Sequence, residues 1–490
     1  MSDLRIGGLV SGLDIDQIVN DLVSIERSRV DKYYQKKQLL EWQREGYREI
    51  NTRLLAVRNE VFDLKLQGTF LAKSASSSDE DILEVTAGTS AVAGNYTVKV
   101  NSLASGVYKT STAALGSSDD RTSLSSQFGL SGTVTFTLTG KDGTQVFSFD
   151  TATDSINTVV AEINAADIGI RASYDSSLDR FFLMTAETGN EAVIQVDADP
   201  DSFLANTLKL DTSTEYGKDA SIDLNDATGL TFSSNQFTVN GINFNLKGES
   251  ASSVTVSVTN DVEAVIEKIQ DFVTAYNGAV EAINTELTEA RYRDYPPLTD
   301  AQREEMTENQ IELWEEKARS GLLKGDSLLT SIVQRIRNAV IRRVEGLSGD
   351  YDNLTEIGIT TGQYYENGKL YLDEDQLREA LTNDPEGVME LFTSSSDTEA
   401  NQGIAYYLYD VIDNSMDLIQ AKAGSSSAYY DNSYITNEIR RVDEQIDKME
   451  ERLEEIEDRY WRQFTALEQA IATMNAQSAW LAQQFGQQTY

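Results

Sequence analysis

The stretch RYWRQFTALEQAIATMNAQSAWLAQQF (residues 459–485) carries a strong apolar stripe at helical spacing, yet after Arg462 it holds a single charged residue, Glu468. The ends of a chain are usually polar and frayed. A solvated helix normally carries charge on its outer face. Here the other faces carry Gln, Ala, Thr, Ser and Asn. The pattern predicts a helix packed on several sides, and the nature of its cover decides the fold.

Upstream, Ile435, Ile439, Val442, Ile446, Met449, Leu453, Ile456 and Tyr460 follow alternating steps of four and three, a heptad seam. From Tyr460 to Phe464 the step is four where three is due. Such a stutter locally unwinds a left-handed supercoil. The alternation then resumes through Phe464, Leu467, Ile471, Met474, Ser478, Leu481 and Phe485. Charge changes near the same point: residues 438–459 hold 10 acidic and 5 basic side chains. A second long helix is therefore expected over residues 431–485.

The matching element lies at the other end of the sequence. Asp14 followed by Gln17 has capping-box spacing, and Gly7, Gly8 and Gly12 keep the preceding segment out of helix. The helix is predicted to run to about Gln67. Ile15, Ile18, Leu22 and Ile25 begin its stripe. Tyr33, Leu40, Tyr47, Leu54 and Val61 continue it at strict sevens, with Ile50, Val57 and Leu64 as the second line. Gly46 sits inside the helix at a local cost of about 1 kcal/mol, which leaves room for a bend or break there. Residues 26–65 carry 10 basic and 7 acidic groups, a positive segment in a negative chain. The two helices are predicted to pair antiparallel. Each would be tens of ångströms long at roughly 1.5 Å per residue. A plain core stripe of one bundle is the simpler account, and the scarcity of charge on the distal half argues against it.

Between the helices the texture is β-rich from about residue 76 to 260 and reads as two modules. GTVTFTLTG and TQVFSFD form a hairpin around Gly140–Gly143. Ile156, Val159, Val160 and Ile163 give one face of a short amphipathic helix. FTVNGINFNL alternates on both sides of Asn240-Gly241, the pattern of a type I′ turn. After Asp261 helices return, with a Pro-Pro turn and a polar, helical insertion before a strand–helix unit around Asp384-Pro385.

Composition bounds the chemistry. A chain of 490 residues exceeds one hydrophobic core. Its 80 acidic against 41 basic residues give a net charge of −39, which repels nucleic-acid phosphates and anionic membranes. Cysteine and histidine are absent, so there is no disulfide, no thiolate nucleophile and no imidazole base or ligand. No stretch approaches the roughly 18 apolar residues of a membrane span. The opening MSDLRIGGLVSGLDIDQIV lacks the apolar core of a cleaved signal, so either a cytosolic protein or export by another route is expected. Two acid clusters, Asp197/Asp199/Asp201 and Asp373/Glu374/Asp375, are candidates for carboxylate chemistry, and solvated loops and helix caps are the simpler reading. The first cluster lacks the glycine and distal Glu of a calcium loop. No cofactor and no metal are expected.

The ordered set of segments resembles the flagellar hook-associated protein 2 family, the filament cap proteins. GLVSGLDIDQIVNDLVSIERSRVDKY is similar to the family's opening, and residues 459–485 are similar to its close. DSINTVVAEINAADIGIRASYDSSLDRFFLMTAETG resembles the flagellin hook IN motif. DFVTAYN and IGIT…GKLYLDEDQLREALTNDPEGVMELF resemble the C-terminal region, while the polar segment 300–320 is longer than expected.

The resemblance implies an α+β multidomain fold. Long terminal helices pair as an antiparallel coiled coil or helical bundle, with β-rich head domains inserted between them. The expected divisions are 1–40 with 456–490 as leg helices, 41–75 with 261–455 as a helical domain, 76–106 with 219–260 as one head domain, and 107–218 as an outer one. It further implies a non-enzymatic cap at the distal tip of the bacterial flagellar filament, exported without a cleaved signal. The cap would be a ring homo-oligomer, a pentamer by default, that helps exported flagellin fold and insert and prevents its loss. Expected partners are sister subunits, flagellin and an export chaperone at the C-terminal region, with no nucleic acid and no membrane insertion. Phe464, Leu467, Ile471, Met474, Trp480, Leu481, Phe485, Ile15, Ile18 and Leu22 are the expected assembly residues. Leu40, Tyr47, Leu54, Val61, Ile439, Val442, Ile446, Met449, Leu453 and Ile456 are the expected intrachain coiled coil. Without partners, residues 459–485 are expected to be loosely helical or disordered. Other readings are a carboxylate glycosidase on the β-rich middle, a secreted coiled-coil adhesin and a hook–filament junction protein. Adhesion by the head is compatible with capping.

Overall fold

The computed structural model describes residues 14–117, 121–363, 366–425 and 430–486, the side chains of 484–486 excepted. Gly7, Gly8 and Gly12 and the side chain of Phe485 lie outside the described residues. The chain forms two compact units, Met1–Phe70 with Glu263–Tyr490, and Leu71–Val262. The first is helical and the second mainly β, the α+β organisation that the sequence predicts.

In the helical unit the first long helix is Ile15–Lys65, started by Asp14, whose Oδ1 accepts the Gln17 N–H at 3.0 Å. The helix runs through Gly46 without a break. A Cβ there would lie 2.9 Å from Leu323 Cδ1, so the missing side chain makes room for a buried leucine. The helix continues because its i→i+4 ladder is intact and the glycine penalty is small beside the packing it permits.

Its partners change along its length. The last helix, Tyr434–Gly486, runs antiparallel to its N-terminal part: Tyr34 bonds Glu450 (2.6 Å), Lys37 pairs with Asp443 (2.7 Å), and Arg44 reaches Thr436 (3.4 Å). Beyond Arg48 the neighbour is the helix Ile404–Ala423, also antiparallel, through Arg58 to Asp413 (2.9 Å) and Phe62 against Tyr409 (ring centroids 6.2 Å). Of the two expected forms, coiled coil or helical bundle, the helices form a bundle in which the first helix passes from one partner to another. Tyr47, Leu54 and Val61 are buried, but at Leu54 and Val61 the facing helix is Ile404–Ala423. The reason is that one apolar helix face accepts another equally well, and heptad spacing does not encode which helix supplies it.

The polar insertion folds as Asp300–Glu304 and Glu308–Arg319, with capping boxes at Thr299 and Thr307. It seats on the first helix. Gln35 donates to Pro297 O at 2.8 Å, Tyr47 donates to Asp326 at 2.6 Å, and the Arg319 guanidinium lies 4.8 Å from the centroid of the Trp42 ring. Trp42, outside the predicted seam, is buried on this side.

In the β unit, one antiparallel sheet has the order Lys73–Ser77, Val254–Asn260, Gly94–Ser102, Ala220–Leu224, Ala227–Phe232. It shares a core that includes Val98, Ile222 and Phe244 with a three-stranded sheet, Gln236–Val239, Ile242–Leu246, Leu83–Ala87. Asn240 and Gly241 have φ of 53° and 76° between the paired residues Val239 and Ile242, the two positive values that a type I′ turn requires.

A separate cluster of buried residues spans Val107 to Leu210. Here the hairpin Thr133–Gly140/Gly143–Asp150 stacks Phe136 on Phe147 at 5.1 Å, and Phe203 completes the group at 5.9 Å. The helix Ile156–Ala165, with a capping box at Ser155, buries Ile156, Val159 and Ile163 as its spacing predicts.

Candidate partner-binding helix

The last helix is continuous over Tyr434–Gly486. The stretch expected to be loosely helical is therefore helical here. Its Ala, Gln, Leu and Met content favours helix without outside help. Ile435, Ile439, Val442 and Ile446 are buried, whereas Met449, Leu453, Ile456 and Tyr460 are half-buried. Cover thus thins along the helix before the stutter is reached.

Past the stutter the predicted assembly face divides. Phe464 and Ile471 are half-buried. Leu467, Met474 and Leu481, spaced by sevens, are 45%, 61% and 47% exposed. Trp480, 59% exposed, is a single step from Leu481, about 100° around the helix, and so points off their stripe. On the first helix, Ile15 is buried, Ile18 and Leu22 are half-buried, and Leu40 is half-buried. The register of the Tyr34–Glu450 and Lys37–Asp443 bonds, carried outward, sets Ile15 level with the turn that holds Glu468. The Glu468 side chain is itself buried, so that side of the helix is covered while the Leu467–Leu481 stripe is open.

Arg48 is the residue sequence reasoning missed. Its Nε donates to Ala423 O at 3.0 Å, at the end of one partner helix. Its Nη2 reaches Asp431 Oδ2 at 2.7 Å, just before the start of the other. One guanidinium ties both partners to the first helix at the relay point, a geometry suited to its planar fork. Burial pushes the Asp431 carboxyl up, but the Ser433 N–H, the Thr436 and Ser433 hydroxyls and Arg48 outweigh it and hold it below 3.8. Tyr34 is pushed up to about 12, first by its bond to Glu450 and then by burial. Burial first, and then Asp326, raises Tyr47.

The candidate acids have structural employment. Asp199 accepts from the Phe203 and Ala205 N–H groups (2.8 and 3.0 Å), Asp201 accepts from Thr135 N (2.9 Å), and Asp197 accepts from Thr139 Oγ1. Asp373 caps the helix Glu374–Asn383, and Asp375 pairs with Arg378. Among the described residues no group of three acids is placed to hold a metal ion, and no helix is long and apolar enough to cross a membrane.

A β-rich insert between two long helices, one ending in an open apolar stripe, defines a multidomain subunit equipped for protein–protein assembly. The sequence signature of the flagellar hook-associated protein 2 C-terminus matches residues 217–476, and that of its N-terminus matches residues 11–106. The chain is 32% identical to flagellar hook-associated protein 2 of Halalkalibacterium halodurans over 98% of its own length and 100% of the relative's. It is 26% identical to that of Thermotoga maritima, over 99% and 96%. Its fold is similar to the D1-D2-D3 domains of the flagellar cap protein FliD from Escherichia coli, with a TM-score of 0.56, 22% identity and coverage of 81% and 99%. The chain belongs to the flagellar hook-associated protein 2 family.

Proposed function

We propose that this chain caps the distal end of the bacterial flagellar filament. Copies assemble as a ring, a pentamer by default, and exported flagellin is folded and inserted beneath it rather than lost. The subunit is exported from the cell to reach the tip. It works by surface complementarity and catalyses no reaction. The observation that carries this reading is the open stripe Leu467, Met474, Leu481, with Trp480 beside it, on a helix nearly free of charge. An apolar face of this kind is stabilised by a partner, and in a growing filament the partners are sister subunits and flagellin. Before export, a chaperone binds the same region. Ile18 and Leu22, half-buried on the first helix, border this assembly surface, and buried Ile15 supports it from within the helical unit. Two separate β cores support the division between 76–106/219–260 and 107–218, and the further division of the helical unit into 1–40/456–490 and 41–75/261–455 is part of the same proposal.

Three measurements test this function. A clean deletion leaves cells secreting unpolymerised flagellin into the medium. Labelled protein sits at the distal tip. A chain truncated after Arg462 keeps its β unit folded but does not restore motility. Normal filaments in the deletion, label at the filament base, or motility restored by the truncated chain would each refute the reading.

A further inference from the structure

On the first helix, Ile25, Arg29, Lys32 and Lys36 follow steps of four, three and four, and all four are exposed. This stripe faces away from Val19 and Val30, the buried positions level with the last helix. Among the described residues Arg29 pairs with Glu26 at 3.1 Å. Lys32 and Lys36 have no ion pair among the described residues.

On the last helix, Glu444, Glu451 and Asp458 recur at sevens, Asp447 and Glu454 form a second line at seven, and all five are exposed. They lie on the side away from the buried Ile439, Val442 and Ile446. Lys448 and Arg452 border them. Asp447 adds to the field around Lys37. Among the described residues Lys32, Lys36 and the five acids form no ion pair, and the two stripes point to different sides of one helix pair, so they do not meet in a single copy.

We infer that these stripes are the two halves of a head-to-tail contact between copies of this chain. The acidic face of one copy's last helix lies along the basic face of the next copy's first helix. The occupant is a second copy because the two stripes are opposite in charge and each repeats at heptad spacing, Arg29 with Lys36 on one and Glu444, Glu451 and Asp458 on the other, in a chain whose net charge of −39 otherwise disfavours self-association. Two different patches in contact make a heterologous interface, which closes into a ring when the rotation allows. Ile25 sits within the basic stripe and adds an apolar anchor. This contact rests on the ring assembly proposed above and specifies its electrostatic part.

Sedimentation velocity on the full-length chain tests it, at low salt and at about 0.5 M NaCl, where the screening length falls below about 5 Å. Wild type assembles at low salt and dissociates at high salt. K32E/K36E and E451K/E454K each assemble at least about tenfold more weakly at low salt, with helical circular dichroism unchanged. The fourfold swap K32E/K36E/E451K/E454K restores assembly, which loss of folding could not do. Wild type that stays monomeric at every salt overturns ring assembly and this contact together. Wild type that assembles while the paired variants also assemble, or a fourfold swap that stays dissociated, overturns this contact alone.

Discussion

Arg48→Ala tests the relay between helix partners. The side chain is 27% exposed and its partner Asp431 16% exposed, so solvent screens the pair only partly. Losing one member of a fully buried pair costs about 3–5 kcal/mol. A hydrogen bond to a charged group contributes about 1.5–3 kcal/mol. Asp431 would keep its bonds from the Ser433 N–H and the Thr436 hydroxyl, at 2.9 and 2.7 Å, which limits the penalty of leaving it behind. The Ala423 carbonyl would lose its donor as well. These contributions place the loss at about 2–3 kcal/mol. At about 2 °C per kcal/mol for a unit of this size, the helical transition should fall by about 4–6 °C.

The assay is thermal unfolding of the full chain followed at 222 nm. The control is Arg53→Ala, whose ion pair with Glu49 at 3.8 Å is exposed on both sides and should shift the transition by less than about 1 °C. Arg48→Ala combined with Asp431→Asn should cost less than the sum of the two single changes, because both remove one interaction. An Arg48→Ala transition that matches the Arg53→Ala transition would refute the junction role.

Three other outcomes follow from the geometry. The Asp431 carboxyl titrates below 3.8 in the folded chain, so across that window the unfolded chain binds more protons. Its stabilisation is therefore complete above the unfolded value and lost as pH falls through the folded one, and Asp431→Asn should flatten the pH dependence of unfolding below about pH 4. Replacing Leu467, Met474 and Leu481 together by Ser should move the helical transition by less than about 2 °C, since these side chains are already about half exposed or more, and should abolish motility. Motile cells carrying that variant would count against the assembly stripe. Gly241→Val places a β-branched residue at φ 76° with its Cβ 2.7 Å from Ala91 N, so the β unit should lose about 2 kcal/mol or more, read as faster proteolysis within residues 71–262.

Much of this architecture is legible locally. Asp14 before an apolar period, Ser155 before Ile156, and Asn240-Gly241 between alternating strands each specify a cap or a turn through bonds that span only a few residues. The long seams are legible because a heptad period is a property of one strand of sequence. Arg48 was invisible for the opposite reason. Its partners are a backbone carbonyl at Ala423 and a carboxylate at Asp431, more than 370 positions away, and nothing near Arg48 in the sequence marks it. Trp42 and Gly46 read as an off-seam aromatic and a helix breaker until the 296–326 segment is seen packed on them.

The sequence by itself determined the two long terminal helices, the β-rich middle between them, and the apolar, weakly charged character of residues 459–485, but not the helix Ile404–Ala423. Those properties follow from periodicity, propensity and charge, each readable within a short window. Only the tertiary structure decided that the first helix exchanges partners at Arg48, and that Phe464 and Ile471 are half covered while Leu467, Met474 and Leu481 stand open. Apolar helix faces are nearly interchangeable as partners, so which one is chosen depends on the geometry of the whole helical unit.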